Sequence, residues 1–331
     1  QLQISTYRKS EEVMSSLKHI IKRLFFTMYC IATFVLISLS AQETNDTTAV
    51  KADSTDTKKT LSELIKSSRK IEGLFTFFQD TVNGSVQMLI EKNQLNKEYI
   101  HFVHTLDGVV DVGHFRGAYK TSKIFEIRKY FNRLEFLTIN TAYYFDPDNA
   151  LSRAESANIN AAVLVALVIV ATDDETGAML IKVDDMFLSE NLYQIKPAPK
   201  PEAKPGTRFA LGSLNKKKCQ YIALNNYPLN SDVVIKYVYD NPTPTNRGGP
   251  GITDPRAVHV VIQHSFIAVP ENDYNPRYDD PRVGYFMTQV TDLTSTSNTP
   301  YRDLIHRWNL IKKEPSAPIS EPVEPIVFWI E

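Results

Sequence analysis

The sequence predicts a mainly β (α+β) protein, an antiparallel β-meander followed by a larger β-rich domain with a few short helices. Short runs of β-branched, aliphatic and aromatic residues recur along the chain, and several of them alternate in polarity. Turn dipeptides such as Asn83-Gly84 and Asp107-Gly108 separate neighbouring runs, which is typical of β-hairpins. Only short stretches have the spacing of an amphipathic helix.

The composition indicates a globular protein with a hydrophobic core. The chain has 331 residues, of which 43% are apolar and 11% aromatic, enough for one large domain or two smaller ones. The formal net charge is −1, so no overall positive field favours nucleic acid as a partner.

Residues 1–41 are interpreted as upstream residues followed by a signal peptide. The first methionine is Met14, and the basic residues Lys18, Lys22 and Arg23 precede the apolar stretch Leu24–Leu39. Small residues close to position 41 predict cleavage there. We therefore expect an exported protein with a periplasmic, outer-envelope or extracellular location.

Two alternatives for this N-terminal segment are a membrane anchor and a lipid anchor. The apolar stretch has sixteen residues, interrupted by Thr27, Thr33 and Ser38, and is shorter than the roughly 20 apolar residues that a spanning helix needs. A lipid-modified Cys30 is disfavoured because Thr27-Met28-Tyr29 provides no small residues before it. No stable membrane span is expected once the signal is removed.

Residues 42–70 are predicted to be a disordered tether with a short helix at its end, because residues 42–59 are polar and cannot bury a core. Leu61, Leu64 and Ile65 share one face of that helix, which is expected to reach Lys70. A small N-terminal β domain is then predicted over residues 71–117. Its strands are Leu74–Gln79, Ser85–Ile90 and Tyr99–Thr105.

A larger β-rich domain of unknown function is predicted over residues 118–314. Its expected strands are Lys123–Tyr130, Arg133–Ile139, Ala161–Val170, Ala178–Val183, Gln220–Leu224, Val233–Tyr239, Ala257–Val269, Val283–Val290 and Ile305–Ile311. Short helices are expected at Leu151–Ile159 and Asp184–Glu190. The uninterrupted apolar run Ala161–Val170 indicates a strand covered on both faces. The Pro- and Lys-rich segment 195–206 is interpreted as an extended surface loop.

Residues 315–331 are interpreted as a linker and the first strand of a missing catalytic domain. A Pro- and Glu-rich stretch leads into the apolar run Ile326–Ile330. One strand cannot satisfy its backbone groups alone, so we expect it to pair with residues beyond this chain.

No catalytic or metal-binding pattern is present in the sequence. The seven histidines contain no H-E-x-x-H helix motif, and there is no nucleophile elbow, phosphate loop or Cys-x-x-Cys. His101 and His104 are three residues apart on a predicted strand, so their side chains point to opposite faces. Structural or surface roles are expected for the histidines, and Cys219 is expected to be a small buried apolar residue.

One segment combines arginine, aspartate and aromatic residues densely enough to suggest a role. Arg277 and Arg282 flank Asp279 and Asp280, and Tyr285 follows. Charge-assisted bonds and ring stacking between such residues can fix a turn. We interpret these five residues either as a rigid corner that supports a strand or as a docking edge for a neighbouring domain.

Three C-terminal runs resemble a family of exported bacterial zinc-dependent metalloproteases of the metzincin-like type. They are Pro276–Phe286, Ile305–Leu310 and Pro325–Glu331, and the run Ile71–Asp80 is similar to the start of the first domain in that family. The resemblance covers residues 70–331 and implies two N-terminal domains of unknown function before a catalytic domain. The zinc motif of that family has no counterpart here, so no catalytic or metal residue is assigned.

The resemblance implies the non-catalytic N-terminal region of a secreted or periplasmic zinc metallopeptidase. This region would assist substrate access, folding or regulation, its partner would be the downstream protease domain, and zinc is expected in that domain rather than here. The chain alone is expected to be inactive. A stand-alone module that binds a peptide or glycan, with exposed tyrosines such as Tyr143, Tyr144, Tyr274 and Tyr278, is the alternative. A membrane-anchored structural protein is a third reading.

Overall fold

The computed structural model describes residues 60–198, 206–271 and 274–328, and the predicted mainly β fold is confirmed. The predicted signal peptide, the tether and most of the Pro- and Lys-rich loop lie outside these residues. The strands are β1 Ser68–Ile71, β2 Thr76–Asp80, β3 Val86–Ile90, β4 Glu98–Asp107, β5 Tyr119–Tyr130, β6 Arg133–Thr138, β7 Tyr143–Tyr144, β8 Ala162–Thr172, β9 Met179–Lys182, β10 Ser213–Leu214, β11 Gln220–Asn226, β12 Asn230–Asp240, β13 Ala257–Ala268, β14 Met287–Asp292 and β15 Tyr301–Ile305. The α-helices are α1 Leu61–Leu64 and α2 Asp184–Phe187, and short 3-10 turns lie at Lys92–Gln94, Val110–Val112, Ala150–Ala154 and Lys216–Lys218.

Twelve of the described strands form one large sheet, and three form a small one. The large sheet runs in the order β1-β2-β3-β9-β8-β6-β5-β4-β13-β12-β10, with β11 also paired to β12, and all of its pairs are antiparallel. The small sheet has the order β15-β14-β7. Because β4 pairs with both β5 and β13, strands on both sides of the predicted boundary at Gly117 belong to the same sheet.

The local hairpins follow the turn chemistry of the sequence. β2 and β3 pair across the Asn83-Gly84 turn, where Gly84 has a positive φ of 75° that favours glycine. The predicted hairpin of β5 and β6 and the pairing of β8 with β9 are likewise confirmed. In each case the partners are close in sequence, so the turn alone fixes the pairing.

The helix predicted to reach Lys70 is shorter than expected. A capping box between Thr60 and Glu63 begins it, but α1 ends at Leu64 and Ser68–Ile71 forms strand β1. The reason is an antiparallel ladder with β2, in which Ser68 lies opposite Asp80 and Ile71 lies opposite Phe77. This ladder provides hydrogen-bond partners for the backbone groups of β1. Strand pairing with β2 therefore determines the structure of residues 68–71, although the apolar residues before them have helical spacing.

The expectation that Ala161–Val170 is covered on both faces is wrong. The run does form strand β8, paired on both edges, but Val163 and Val168 are 52% and 60% exposed. One face packs into the core through Leu167, while these valines lie on the other face. An uninterrupted apolar strand is buried on both faces only if other elements pack on both sides of the sheet. The sequence of the strand does not show whether they do.

Three other predicted elements have different bounds. The helix expected at Leu151–Ile159 is the 3-10 turn Ala150–Ala154. The strand expected from Val283 begins at Met287, because Asp280 and Gly284, which has φ of 77°, form a turn before it. The strand expected at Ile305–Ile311 instead ends at Ile305, where its ladder with β14 stops.

The two ends of the large sheet meet, so that it is nearly closed into a barrel. Across the seam, the Asn226 side-chain amide donates to the carbonyl oxygens of Ile71 at 3.0 Å and Phe75 at 2.6 Å. The Asn226 Oδ1 accepts from the Ser231 hydroxyl at 2.5 Å, and Ser231 Oγ accepts from the Phe75 N–H at 3.1 Å. A Cβ on Gly73 would meet Asn226 at 2.2 Å, so only glycine permits this close approach. These side-chain hydrogen bonds, together with the bond from the Leu74 N–H to the Tyr227 carbonyl oxygen at 2.7 Å, close the barrel where no strand ladder does.

The barrel interior is packed with apolar and aromatic side chains and with a segment of the chain itself. Phe187 at the end of α2 and Ile195 beyond it are buried in the main core. The Tyr237 hydroxyl donates to the Phe187 carbonyl oxygen at 2.8 Å, and the Tyr239 hydroxyl donates to Glu190 Oε1 at 2.6 Å. The segment from α2 to Ile195 therefore packs its buried residues against the barrel core, held by tyrosines on β12, while Asp185, Asn191 and Gln194 are exposed.

None of the helices in the part of the chain that the structure describes has the length and apolarity required to span a bilayer.

Candidate docking surface

The small sheet and the residues around it contain the segment that the sequence singled out. β14 pairs antiparallel with β15, and β7 pairs parallel with the last two residues of β14. The chain before β14 runs along the far side of β15, where the Asp279 N–H donates to the Asp303 carbonyl and the Ile305 N–H donates to the Arg277 carbonyl. Arg277 and Asp279 thus contribute through their backbones.

Asp280 and Arg282 form the fixed turn that the sequence suggests. Arg282 donates to the Asp280 carboxylate from its backbone N–H at 3.0 Å, from Nε at 2.9 Å and from Nη2 at 2.6 Å. These bonds lower the pKa of the Asp280 carboxyl. The Asp279 Oδ1 atom is buried without a hydrogen-bond partner, and Tyr285 is exposed. The five predicted residues are therefore adjacent, but only Asp280 and Arg282 join through their side chains.

A second arginine, which sequence reasoning did not find, joins all three strands of the small sheet. Arg302 on β15 donates to Asp292 Oδ2 on β14 from Nε at 2.8 Å, and its guanidinium lies 3.8 Å from the ring centroid of Tyr144 on β7. Its Nη1 also donates to the Tyr278 hydroxyl at 3.3 Å. Hydrogen bonds from Thr294, and then from Arg302, lower the pKa of Asp292. These residues are far apart in sequence, so no local spacing signals the cluster.

A third arginine holds the chain after β15. The Arg307 guanidinium lies 4.3 Å from the ring centroid of Tyr274, and Nη2 donates to the Asn275 carbonyl at 2.5 Å. Arginine therefore stacks on two of the tyrosines considered for glycan binding, Tyr144 and Tyr274. A ring face covered by a guanidinium is not free to stack on a sugar.

The stretch that the sequence suggests as a linker folds back on itself. The Lys313 N–H donates to the Glu321 carbonyl at 2.8 Å, and the Val323 N–H donates to the Ile311 carbonyl at 2.9 Å. The rings of Trp308 and Phe328 meet edge to face, with 6.2 Å between their centroids. The described residues 326–328 have no regular secondary structure, and 329–331 lie outside the description.

This folded-back segment carries an exposed apolar surface. Trp308 is 61% exposed and Phe328 is 72% exposed. The other exposed apolar side chains of the segment are Leu310, Ile311, Ile319, Val323, Ile326 and Val327. We call these eight residues the C-terminal apolar surface. Trp308 and Phe328 contact each other, and contiguous exposed apolar side chains are a common feature of interaction surfaces.

Two histidines from neighbouring strands are within hydrogen-bonding distance of each other. His101 Nε2 on β4 lies 3.0 Å from His264 Nδ1 on β13, and His264 Nε2 lies 2.9 Å from the Tyr237 hydroxyl. Since that hydroxyl donates to a carbonyl, it accepts from His264 Nε2–H, and His264 Nδ1 then accepts from His101. Burial lowers the pKa of His101 to about 4 and that of His264 well below its usual value. Both rings are therefore neutral structural groups of the barrel core.

The described part of the chain contains neither an exposed cysteine thiol nor a group of three metal-ligating side chains. Cys219 is buried, as expected, and burial raises the pKa of its thiol. Across residues 60–198, 206–271 and 274–328, no three His, Cys, Asp or Glu side chains converge as metal ligands.

The fold and site define an antiparallel, nearly closed β-barrel with a small accessory sheet and an exposed apolar segment. Residues 119–313, more than half of the chain, match the family described as Domain of unknown function (DUF5117), and the chain belongs to that family. This match includes the small sheet and the Asp280–Arg282 turn. No curated protein and no solved structure matches the chain.

Proposed function

We propose that this chain is the non-catalytic N-terminal region of an exported zinc-dependent metallopeptidase and that the C-terminal apolar surface docks the protease domain. The resemblance of three C-terminal runs to that family supports the assignment. Zinc would belong to the protease domain, as the same resemblance implies.

The observation that carries the docking role is the exposure of Trp308 and Phe328 on an internally bonded segment. Backbone bonds from Lys313 to Glu321 and from Val323 to Ile311 fix the fold of residues 311–323, and the Trp308 and Phe328 rings contact each other at its two ends. Aromatic side chains presented on such a fixed backbone lose little conformational entropy on binding, which suits them to an interface centre. The barrel would then act on the protease by shaping substrate access, assisting folding or regulating activity.

The reading frame beyond codon 331 provides the first test. A continuous frame that encodes H-E-x-x-H supports the proposal, because that motif places two histidines and a general base on one helix. A stop codon at that point contradicts it. Chelator-sensitive cleavage of casein by this chain alone would also contradict the non-catalytic role.

The docking surface is tested in the full-length product of that frame. We expect Trp308→Ser combined with Phe328→Ser to reduce the yield of active protease severalfold, because interface aromatics contribute most of the binding energy. The matched control is Val82→Ser, which replaces an exposed apolar side chain in the remote turn between β2 and β3. Equal protease yields from both variants would refute docking through this surface.

A further inference from the structure

Among the residues that the structure describes, none pairs with the main-chain groups at the start of the outer edge of strand β14. In the antiparallel ladder with β15, Met287 lies opposite Ile305 and Gln289 lies opposite Asp303. Ile305 and Asp303 direct their main-chain groups to the far side of β15, where they bond Arg277 and Asp279. The N–H and C=O groups of Met287 and Gln289 therefore point away from β15.

Strand β7 covers only the end of this edge. It pairs with Thr291 and Asp292, and the Thr291 N–H donates to the Ala142 carbonyl at 2.9 Å. Before Ala142 the chain turns away, since the Ile139 N–H donates to Ile124 on β5. Residues 287–289 are exposed, and within the described part of the chain their outward main-chain groups have no hydrogen-bond partner.

An open concavity lies next to the start of the free edge. It is lined by Gly284, Tyr285, Phe286 and His306. Phe286 is 89% exposed, and its carbonyl accepts from the His306 N–H at 2.8 Å, which fixes the concavity to the two strands. The concavity therefore lies at the end of the strand pair that presents the edge.

The side chains beside the edge already have polar partners. Gln289 Nε2 donates to Asp303 Oδ1 at 2.8 Å, and Thr288 Oγ1 lies 2.7 Å from His306 Nε2. The nearby Arg282 is bonded to Asp280. An added ligand would therefore gain backbone hydrogen bonds and apolar contact rather than a new ion pair.

We propose that the edge of β14 at Met287–Gln289 binds an extended, uncharged peptide by strand addition, with an apolar side chain in the concavity beside Phe286. The occupant is extended because the free groups of Met287 and Gln289 repeat every second residue, which only a β-strand backbone matches. It is apolar because Tyr285 and Phe286 line the concavity. This site is separate from the C-terminal apolar surface and does not depend on the protease assignment.

The probe is the peptide acetyl-Thr-Val-Thr-Phe-Thr-Val-amide, titrated into the purified chain and followed by NMR. We expect saturable shifts of the Met287 and Gln289 amide signals. The same peptide N-methylated at alternate residues keeps its side chains but loses the edge donors, and it should bind at least about tenfold more weakly.

Gln289→Pro removes the outward N–H of the edge without touching the ladder to β15, and proline is accepted at such edge positions. We expect this variant to stay folded and to bind the probe at least about tenfold more weakly. Gln289→Ala is the control, because it loses the same side-chain bond to Asp303 but keeps the N–H, and its affinity should match the wild type.

Phe286→Ser should weaken binding in the same assay, whereas Trp308→Ser should not. Absence of saturable binding, or equal binding by the N-methylated peptide, would overturn the proposal. A concentration-dependent dimer that Gln289→Pro abolishes would also overturn it, since a second copy of the chain would then be the natural occupant of the edge.

Discussion

In the barrel, large side chains from facing strands are fully buried and the polar groups among them bond one another. Phe75, Phe136 and Tyr237 all belong to this core. In the small sheet, no apolar side chain of β7, β14 or β15 is buried, and the strands are joined by Arg302 and its partners. Both regions are β-sheets of one chain, yet different forces stabilise them.

The difference separates a part that is held by apolar burial from a part that leaves apolar side chains and a strand edge exposed. Burial of apolar area in the barrel needs no partner. Charge-assisted bonds in the small sheet fix the backbone while leaving apolar side chains and a strand edge exposed. The apolar core and the two proposed contact sites thus belong to different parts of the described residues.

Acidification should break the barrel before the small sheet. The lowered folded-state pKa of His101, about 4 against a usual 6.5, means that the unfolded chain binds protons more readily below pH 6.5. The free energy of unfolding is therefore full above that pH and falls as the pH drops towards about 4. Between about pH 7 and pH 5 we expect a loss of roughly 2 kcal/mol from His101, with a further loss of the same sign from His264.

Urea unfolding at the two pH values measures this loss. His264→Gln should flatten the pH dependence, because burial lowers the pKa of His264 in the folded chain. A wild-type protein with equal stability at both values would show that the buried pair does not control the barrel.

Asn226→Ala should open the barrel seam. The change leaves the Ile71 and Phe75 carbonyls and the Ser231 hydroxyl without their present partner, at a cost of about 3 kcal/mol in unfolding free energy. Urea denaturation measures the effect, and hydrogen exchange should locate it at the Leu74 amide, which donates to Tyr227 across the seam. Asn225→Ala, one residue earlier and exposed, is the control and should change little.

Arg302→Lys should loosen the small sheet and leave the barrel intact. Lysine keeps the charge but loses the planar contact with Tyr144 and the directed bonds to Asp292, which we expect to cost about 1 kcal/mol locally. Faster hydrogen exchange at Thr291, with unchanged exchange in β12, would confirm this. Arg282→Lys, in a solvent-exposed pair, should have no measurable effect on either region.

The sequence predicted those features whose partners are close along the chain. The β2–β3 hairpin and the Asp280–Arg282 turn were both predicted because a local turn brings the groups together. The helix expected to reach Lys70 was wrong because β2, several residues later, captures that backbone as a strand. The Arg302 cluster could not be predicted, since its members come from three strands and their spacing has no recurring pattern.

By itself, the sequence determined the β class of this protein, most of its strands and the charged turn at residues 280–282. These depend on side-chain alternation and turn chemistry, which act over a few residues. Only the tertiary structure decided which histidines meet, how Asn226 closes the barrel, which face of β8 is exposed and which edge of β14 is free. Those outcomes depend on contacts between strands far apart in sequence, and no local pattern encodes the register that brings them together.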